Sequence, residues 1–299
     1  LTYSYEKTLK TKPDDTFLNL QSFFFITSKQ ITKILYRTSV TPHQVIFASM
    51  VFGLTAAYLI IQNNIALVIA GAVLLFYKNV LDKVDGSLAR AKELDSRRGR
   101  FYDSISDFIV TLATFSAMSY KLYLTYNSNW VFVIGLAAMI CSMLQCSYFI
   151  FYQVSFIMLS GKKTVNRLVE SVTEEDIQTQ DKWTLFLQKI FMIIYGWQDK
   201  LFASLDNFFY KRLAMNSDLK KSQIPNLKSQ IDVFWYANKP FLTAASSLSI
   251  GTHIFFICIF ALIGRFDLYF FVNLILWNLL LICLIIYHYI SAKKKIKAV

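Results

Sequence analysis

Of the chain's 299 residues, 55% are hydrophobic and only 17% are charged, a balance that excludes an ordinary soluble domain and places the protein in a bilayer. Its 31 Lys and Arg against 19 Asp and Glu give a net charge of +12. On a membrane protein that surplus points to anionic lipid surfaces, and with no motif for base readout, nucleic acid is not an expected partner.

Residues 1–40 read as an N-terminal cytoplasmic segment. The first sixteen residues are polar and contain no short apolar run followed by a cleavage site, so no signal peptide is expected. Over 17–37, Phe17, Leu20, Phe24, Ile31 and Leu35 alternate with Lys29, Lys33 and Arg37, the pattern of an amphipathic helix lying on the membrane surface. Thr41-Pro42 then turns the chain into the first span.

Six stretches are long and apolar enough to cross about 30 Å of hydrocarbon: 43–61, 65–88, 101–126, 130–158, 241–263 and 268–291. The first four fill residues 41–159, and the last two, with a basic tail, fill 240–299. Between them, 160–239 is a hydrophilic, partly amphipathic insert. Within it, 183–214 is aromatic and amphipathic and is interrupted near Gly196, which predicts one or two helices on the cytoplasmic surface or packed on the spans. The fold class expected is all-α: six transmembrane helices, an N-terminal surface helix and a cytoplasmic insert between helices four and five.

Lys and Arg orient the spans. The connections 62–64, 127–129 and 264–267 hold a single basic residue, Arg265, whereas the other side holds six before the first span, five over 90–100, twelve over 162–239 and four in the tail. Both termini are therefore expected in the cytoplasm of a multi-pass cell (inner) membrane protein. Cys141, Cys146, Cys258 and Cys283 lie in apolar runs without zinc-type spacing and are expected to pack as small hydrophobes. His43, His253 and His288 are scattered and read as solvated or packed, without partners.

Chemistry concentrates where the second span ends and the third begins. Asp82, Asp85, Gly86, Ala89, Arg90, Gly99, Asp103 and Asp107 follow the spacing D-x2-D-G-x2-A-R-x8-G-x3-D-x3-D. At about 100° per residue, Asp82 and Asp85 fall about 60° apart on one helix, and Asp103 and Asp107 about 40° apart on the next. An antiparallel hairpin then brings four carboxylates together. Their mutual repulsion and desolvation call for a divalent cation, and a pair of hard ions such as Mg²⁺ or Mn²⁺ suits oxygen ligands and a displacement at phosphorus. Gly86 and Ala89 leave room for a nucleotide against the helix backbone. Arg90, Arg97, Arg98 and Arg100 supply positive charge for phosphates.

These eight positions reproduce the signature of the CDP-alcohol phosphotransferase family without a gap, and the spans and the Thr41-Pro42 turn are similar to it as well. The resemblance implies that Asp82, Asp85 and Asp103 hold the metal pair, that Asp107 completes the site and acts as general base, and that Asp82, Gly86, Ala89, Arg90 and Gly99 bind the nucleotide. It implies attack by an alcohol hydroxyl on the phosphate of a CDP-linked alcohol, release of CMP, and a homodimer. Gly135, Ala138 and Ser142 are small enough to line a helix contact. The chain departs from the pattern at His43 and Ile46, onto which no nucleotide contact is carried. It departs again at Phe108, where branches using phosphorylated acceptors commonly have a basic residue.

Lys78 lies one turn before Asp82. It reads either as an ion pair with Asp82 or as a cation for an acceptor's anionic group. Arg97 and Arg98 read either as acceptor-binding groups or as topogenic charges alone. The expected function is transfer of a phosphatidyl group from CDP-diacylglycerol to a polar alcohol. A choline- or ethanolamine-type enzyme, using a soluble CDP-alcohol and a lipid acceptor, stays open, and so does the more remote reading of an ion-coupled transporter.

Overall fold

A computed structural model describes residues 5–9, 25–161, 164–216 and 227–297, and among these all regular structure is helical. Two short helices, α1 (Tyr5–Thr8) and α2 (Phe25–Tyr36), precede four long ones: α3 (Pro42–Ile61), α4 (Ile65–Ala91), α5 (Arg97–Tyr126) and α6 (Trp130–Leu159). Then come α7 (Glu174–Thr179), α8 (Lys182–Ile194), α9 (Gly196–Asn216), α10 (Leu227–Tyr236), α11 (Lys239–Ala245), α12 (Ile250–Leu262), α13 (Phe266–Phe271) and α14 (Asn278–Lys297).

Local chemistry sets the boundaries. Thr41 accepts from the Gln44 amide while Gln44 reaches back to Thr41, a capping box that, with Pro42 in the first turn, starts α3. Asn64 caps α4 by accepting from Ala66, and Ser96 caps α5 by accepting from Gly99 at 3.1 Å. Asn127, in the left-handed region with φ 49°, ends α5.

Pro42–Ile61, Ile65–Lys92, Trp130–Leu159 and Phe266–Lys297 are long and apolar enough to cross a membrane, and the bent pair Ile231–Leu248 and Ile250–Leu262 makes a fifth if it is one span. The protein is thus a multi-pass membrane protein. α5 has the length, 30 residues, but Arg97, Arg98, Arg100, Asp103, Asp107 and Lys121 keep it from the apolarity of the others.

Two expected spans differ in form. Residues 241–263 are not one straight helix: the chain bends by 42° at a 3-10 turn, Ser246–Leu248. There the Ser246 and Ser247 hydroxyls donate to the Thr243 and Ala244 carbonyls, and Ser249 takes extended backbone. Hydroxyls that bond the local backbone compete with the helical ladder. The last helix, expected over 268–291, runs from Phe266 to Lys297 and contains a π-helical turn, Val272–Trp277. Buried Gln145 of α6 donates there to the Asn273 carbonyl at 3.2 Å, and a side chain entering the ladder is a common cause of such a turn.

α4 packs against α2, α3 and α12, and α5 against α3, α6 and α8. The amphipathic segment is described only over α2, whose Ile31, Leu35 and Tyr36 pack on Val80, Val84 and Leu88 of α4. Phe17, Leu20 and Phe24 lie outside the described residues. Residues 183–214 form two helices, α8 and α9, that meet at Tyr195 and Gly196.

Several smaller expectations are corrected. Cys283 is exposed and does not pack inside, because its face of α14 points outward among Leu279, Ile282 and Ile286. His253 and His288 do have partners: His253 Nδ1 meets the Tyr269 hydroxyl at 3.3 Å, and His288 Nε2 meets the Trp235 carbonyl at 2.8 Å. Gly135, Ala138 and Ser142 do line a helix contact, one made within the chain. All three are buried in α6, and a Cβ on Gly135 would collide with Ser119 of α5. Lys121 donates to the Gln62 carbonyl at 2.6 Å and to Asn63 at 3.0 Å, adding a second basic residue to the side that Arg265 occupies.

Candidate active site

The short link between α4 and α5 turns two helices back to back and sets their acids face to face. Lys92, which ends α4, donates to the Thr38 and Val40 carbonyls at 2.8 Å each, and Glu93, with φ 57°, makes the sharp change of direction. One carboxylate oxygen from each of Asp82, Asp85 and Asp103 lies within 4.8 Å of the others. Asp85 is buried, and its Oδ2 has no hydrogen-bond partner among the described residues. An orphaned carboxylate oxygen inside a protein is costly, and three hard oxygen donors this close suit a divalent cation. The donor set fits the expected metal.

Asp107 adjoins the trio at Asp82 and shares a cation with it. The Lys78 ammonium donates to Asp107 Oδ1 and, at 3.3 Å, to Asp82 Oδ1. Lys78 is only 2% exposed and bridges the metal-type trio to the fourth acid. It is not among the residues lining the cavity next to the acids, and its ammonium goes to the two carboxylates.

That cavity, about 750 Å³, is lined by Asp82, Asp85, Asp103 and Asp107 together with Gly86, Ala89, Arg90 and Gly99. A Cβ on Gly86 would meet only the tip of the Arg90 side chain, at 3.3 Å. Arg90 is itself held by the Thr8 carbonyl at 2.7 Å. The wall toward α6 is largely apolar, with Met143, Phe149, Ile150, Val154 and Ile157. Ile150 is 46% exposed, which connects that wall with the outer surface of the bundle.

Not every residue expected at the site is there. Arg97 Nη2 and Arg100 Nη1 each bond Glu170, at 2.5 and 2.6 Å, and Arg98 reaches Asp181 at 3.4 Å. Of these arginines, Arg100 lines the cavity. Conversely, His43 and Ile46, set aside in the sequence, do line it, as do Arg167, Tyr195 and Asp199 of the insert. The Thr41-Pro42 turn placed His43 at the start of the first span, which was the available signal. Nothing local marked the insert residues.

Residues 39–215 match the sequence model of the CDP-alcohol phosphatidyltransferase family, a stretch of more than half the chain that includes all eight motif positions. No curated protein matches the chain.

Proposed function

The chain belongs to the CDP-alcohol phosphatidyltransferase family, and from that premise we propose that it transfers a phosphatidyl group from CDP-diacylglycerol to an alcohol in phospholipid synthesis. The observation that carries the donor assignment is the cavity itself, which joins the carboxylate trio to an apolar wall of α6 reaching the outside of the bundle. A donor with its diphosphate beside the acids and its acyl chains along that wall satisfies both surfaces.

In this reading Asp82, Asp85 and Asp103 hold Mg²⁺ or Mn²⁺, two ions being the expected complement. Bound there, the metal supplies charge neutralisation at the phosphate and at the developing alkoxide. Gly86, Ala89 and Gly99 let the nucleotide approach the backbone, and Arg90 faces its phosphates. Asp107 accepts the hydroxyl proton of the incoming alcohol. The alcohol oxygen forms its bond to the phosphorus that carries diacylglycerol, and the bond from that phosphorus to CMP breaks. Lys78, held by both Asp82 and Asp107, fixes the base relative to the acids.

α5 counts here as a span, which with the bent fifth gives six, and both termini and the active site face the cytoplasm. A cysteine introduced at Ser96 should then label from the cytoplasmic side and one at Asn127 from the other. The homodimer rests on the family resemblance. CMP release from CDP-diacylglycerol, against CDP-choline with diacylglycerol, tests the function. Release from the first that stops with a chelator is the expected result, and release from CDP-choline alone would overturn the donor assignment.

A further inference from the structure

One wall of the cavity belongs to the insert and to none of the eight motif positions. Thr164, Asn166, Arg167, Tyr195 and Asp199 line it. The Tyr195 hydroxyl donates to the Ser104 carbonyl at 3.1 Å, one residue from Asp103, so this wall is fastened to the acid-bearing helix.

Charge on the wall is already matched. Glu170, whose side chain has no exposed surface, takes Arg97 on one oxygen and Arg100 on the other, at 2.5 and 2.6 Å. Asp176 takes Arg167 through two bonds, at 2.6 and 2.9 Å. Gln188 donates to both acids, at 2.9 and 3.1 Å. Guanidinium groups committed to buried carboxylates are not on offer to a phosphate.

Asp199 differs. It faces the cavity, its hydrogen bond from the Glu170 amide is long, at 3.4 Å, and the Arg100 guanidinium that acts on it is bonded to Glu170. A carboxylate has about four lone-pair sites and no donor, so Asp199 presents acceptor capacity to whatever enters. A phosphorylated alcohol, bringing about −1.5 to −2 further charges, would be repelled there.

We propose that this wall is the acceptor subsite, that Asp199 recognises the acceptor, and that the acceptor is an unphosphorylated alcohol carrying further hydrogen-bond donors, either hydroxyls or an ammonium. The inference rests on the transferase reading above and names its acceptor class. Asp199 makes and breaks no bond in the transfer; it binds.

The test uses the purified full chain with Mg²⁺ and CDP-diacylglycerol, and measures CMP release with glycerol, myo-inositol, ethanolamine, serine and glycerol 3-phosphate. One of the first four should exceed glycerol 3-phosphate by about tenfold or more, and the arms separate polyols from ammonium-bearing alcohols. Asp199→Asn, which keeps an oxygen for the Glu170 amide, should raise the KM for that acceptor by about tenfold while the donor KM moves by less than about twofold. Preference for glycerol 3-phosphate would overturn the proposal and leave the transferase reading standing, and so would equal losses on both substrates. CMP release with none of the acceptors would remove the CDP-diacylglycerol reading, and this proposal with it. If Asp199→Asn does not fold, the panel on the unaltered chain still decides.

Discussion

Two charged clusters share the first three or so turns of α5. At its start, Arg97 and Arg100 meet Glu170, and Arg167 meets Asp176, so that each acid holds at least one guanidinium within 2.6 Å. Two turns on, Asp103 joins Asp82 and Asp85 in a group of three acids, and Asp85 Oδ2 is left without a hydrogen-bond partner among the described residues. Lys78 binds Asp82 and Asp107, and Lys83 acts electrostatically on Asp82. Burial is similar in both places, and the difference lies in charge. The first cluster is balanced by side chains and holds the insert to the bundle. The second is left negative, a state that a folded protein sustains where a ligand supplies what the chain withholds.

The two clusters must therefore respond oppositely to neutralisation. The largest effect is expected at Asp107, where Asp107→Asn should lower kcat for CMP release by about 10²–10⁴-fold, the usual range for loss of a positioned base. Mg²⁺-dependent nucleotide binding, measured by calorimetry on the same variant, should persist, since the trio is intact. Near-normal turnover would remove Asp107 from the base role.

The next effect concerns stability. Glu170→Ala leaves Arg97 and Arg100 without their acid and should destabilise the protein by about 3–5 kcal/mol, the range for breaking a buried pair from one side. Unfolding in detergent, followed by fluorescence against denaturant, reads it. Asp85→Asn should do the reverse: in the presence of a chelator the variant should melt a few degrees above the parent, because it removes a buried carboxylate whose Oδ2 has no hydrogen-bond partner among the described residues. With Mg²⁺ added the parent should gain stability and the variant little. Destabilisation by both changes alike would dissolve the distinction between the clusters.

The two clusters also differed in how far they could be read from the sequence. Asp82, Asp85, Asp103 and Asp107 lie on two consecutive helices, so helical spacing alone places them face to face. Glu170 could not be paired with Arg97 or Arg100 in that way, because some seventy residues and several helix ends intervene. The same limit hid Tyr195 and Asp199, which are read locally as part of an amphipathic surface. Within the bundle, apolar length foretold most long helices but not their interruptions. The Ser246, Ser247 and Ser249 hydroxyls were a legible reason for the bend in the fifth. The π-helical turn depends on Gln145 from another helix and had no local mark.

The smallest expected effect is in the pH dependence of stability, and it separates the two acids of the insert. The Arg167 guanidinium beside Asp176 holds its carboxyl well below the ordinary range, with help from Gln188 and the Thr173 amide against the opposing effect of burial. A depressed folded pKa means that the stabilisation is fully present above the unfolded value, about 4, and is lost as the pH falls toward the folded one. Asp199 has the opposite sign: burial pushes its carboxyl up to about 6. Its contribution is present below about 4 and is gone once the pH has risen through about 6. Denaturant midpoints of the parent, Asp176→Asn and Asp199→Asn, taken from pH 7 down to pH 2, check this. Asp176→Asn should trail the parent by a near-constant margin from pH 7 to about pH 4 and by progressively less below that. Asp199→Asn should gain on the parent at pH 7 and lose that advantage on acidification. Parallel curves for all three would mean that Asp176 is not held by its guanidinium and that Asp199 is as well solvated in the fold as in the unfolded chain, which would leave the insert without the balanced charge that sets it apart from the metal-type trio.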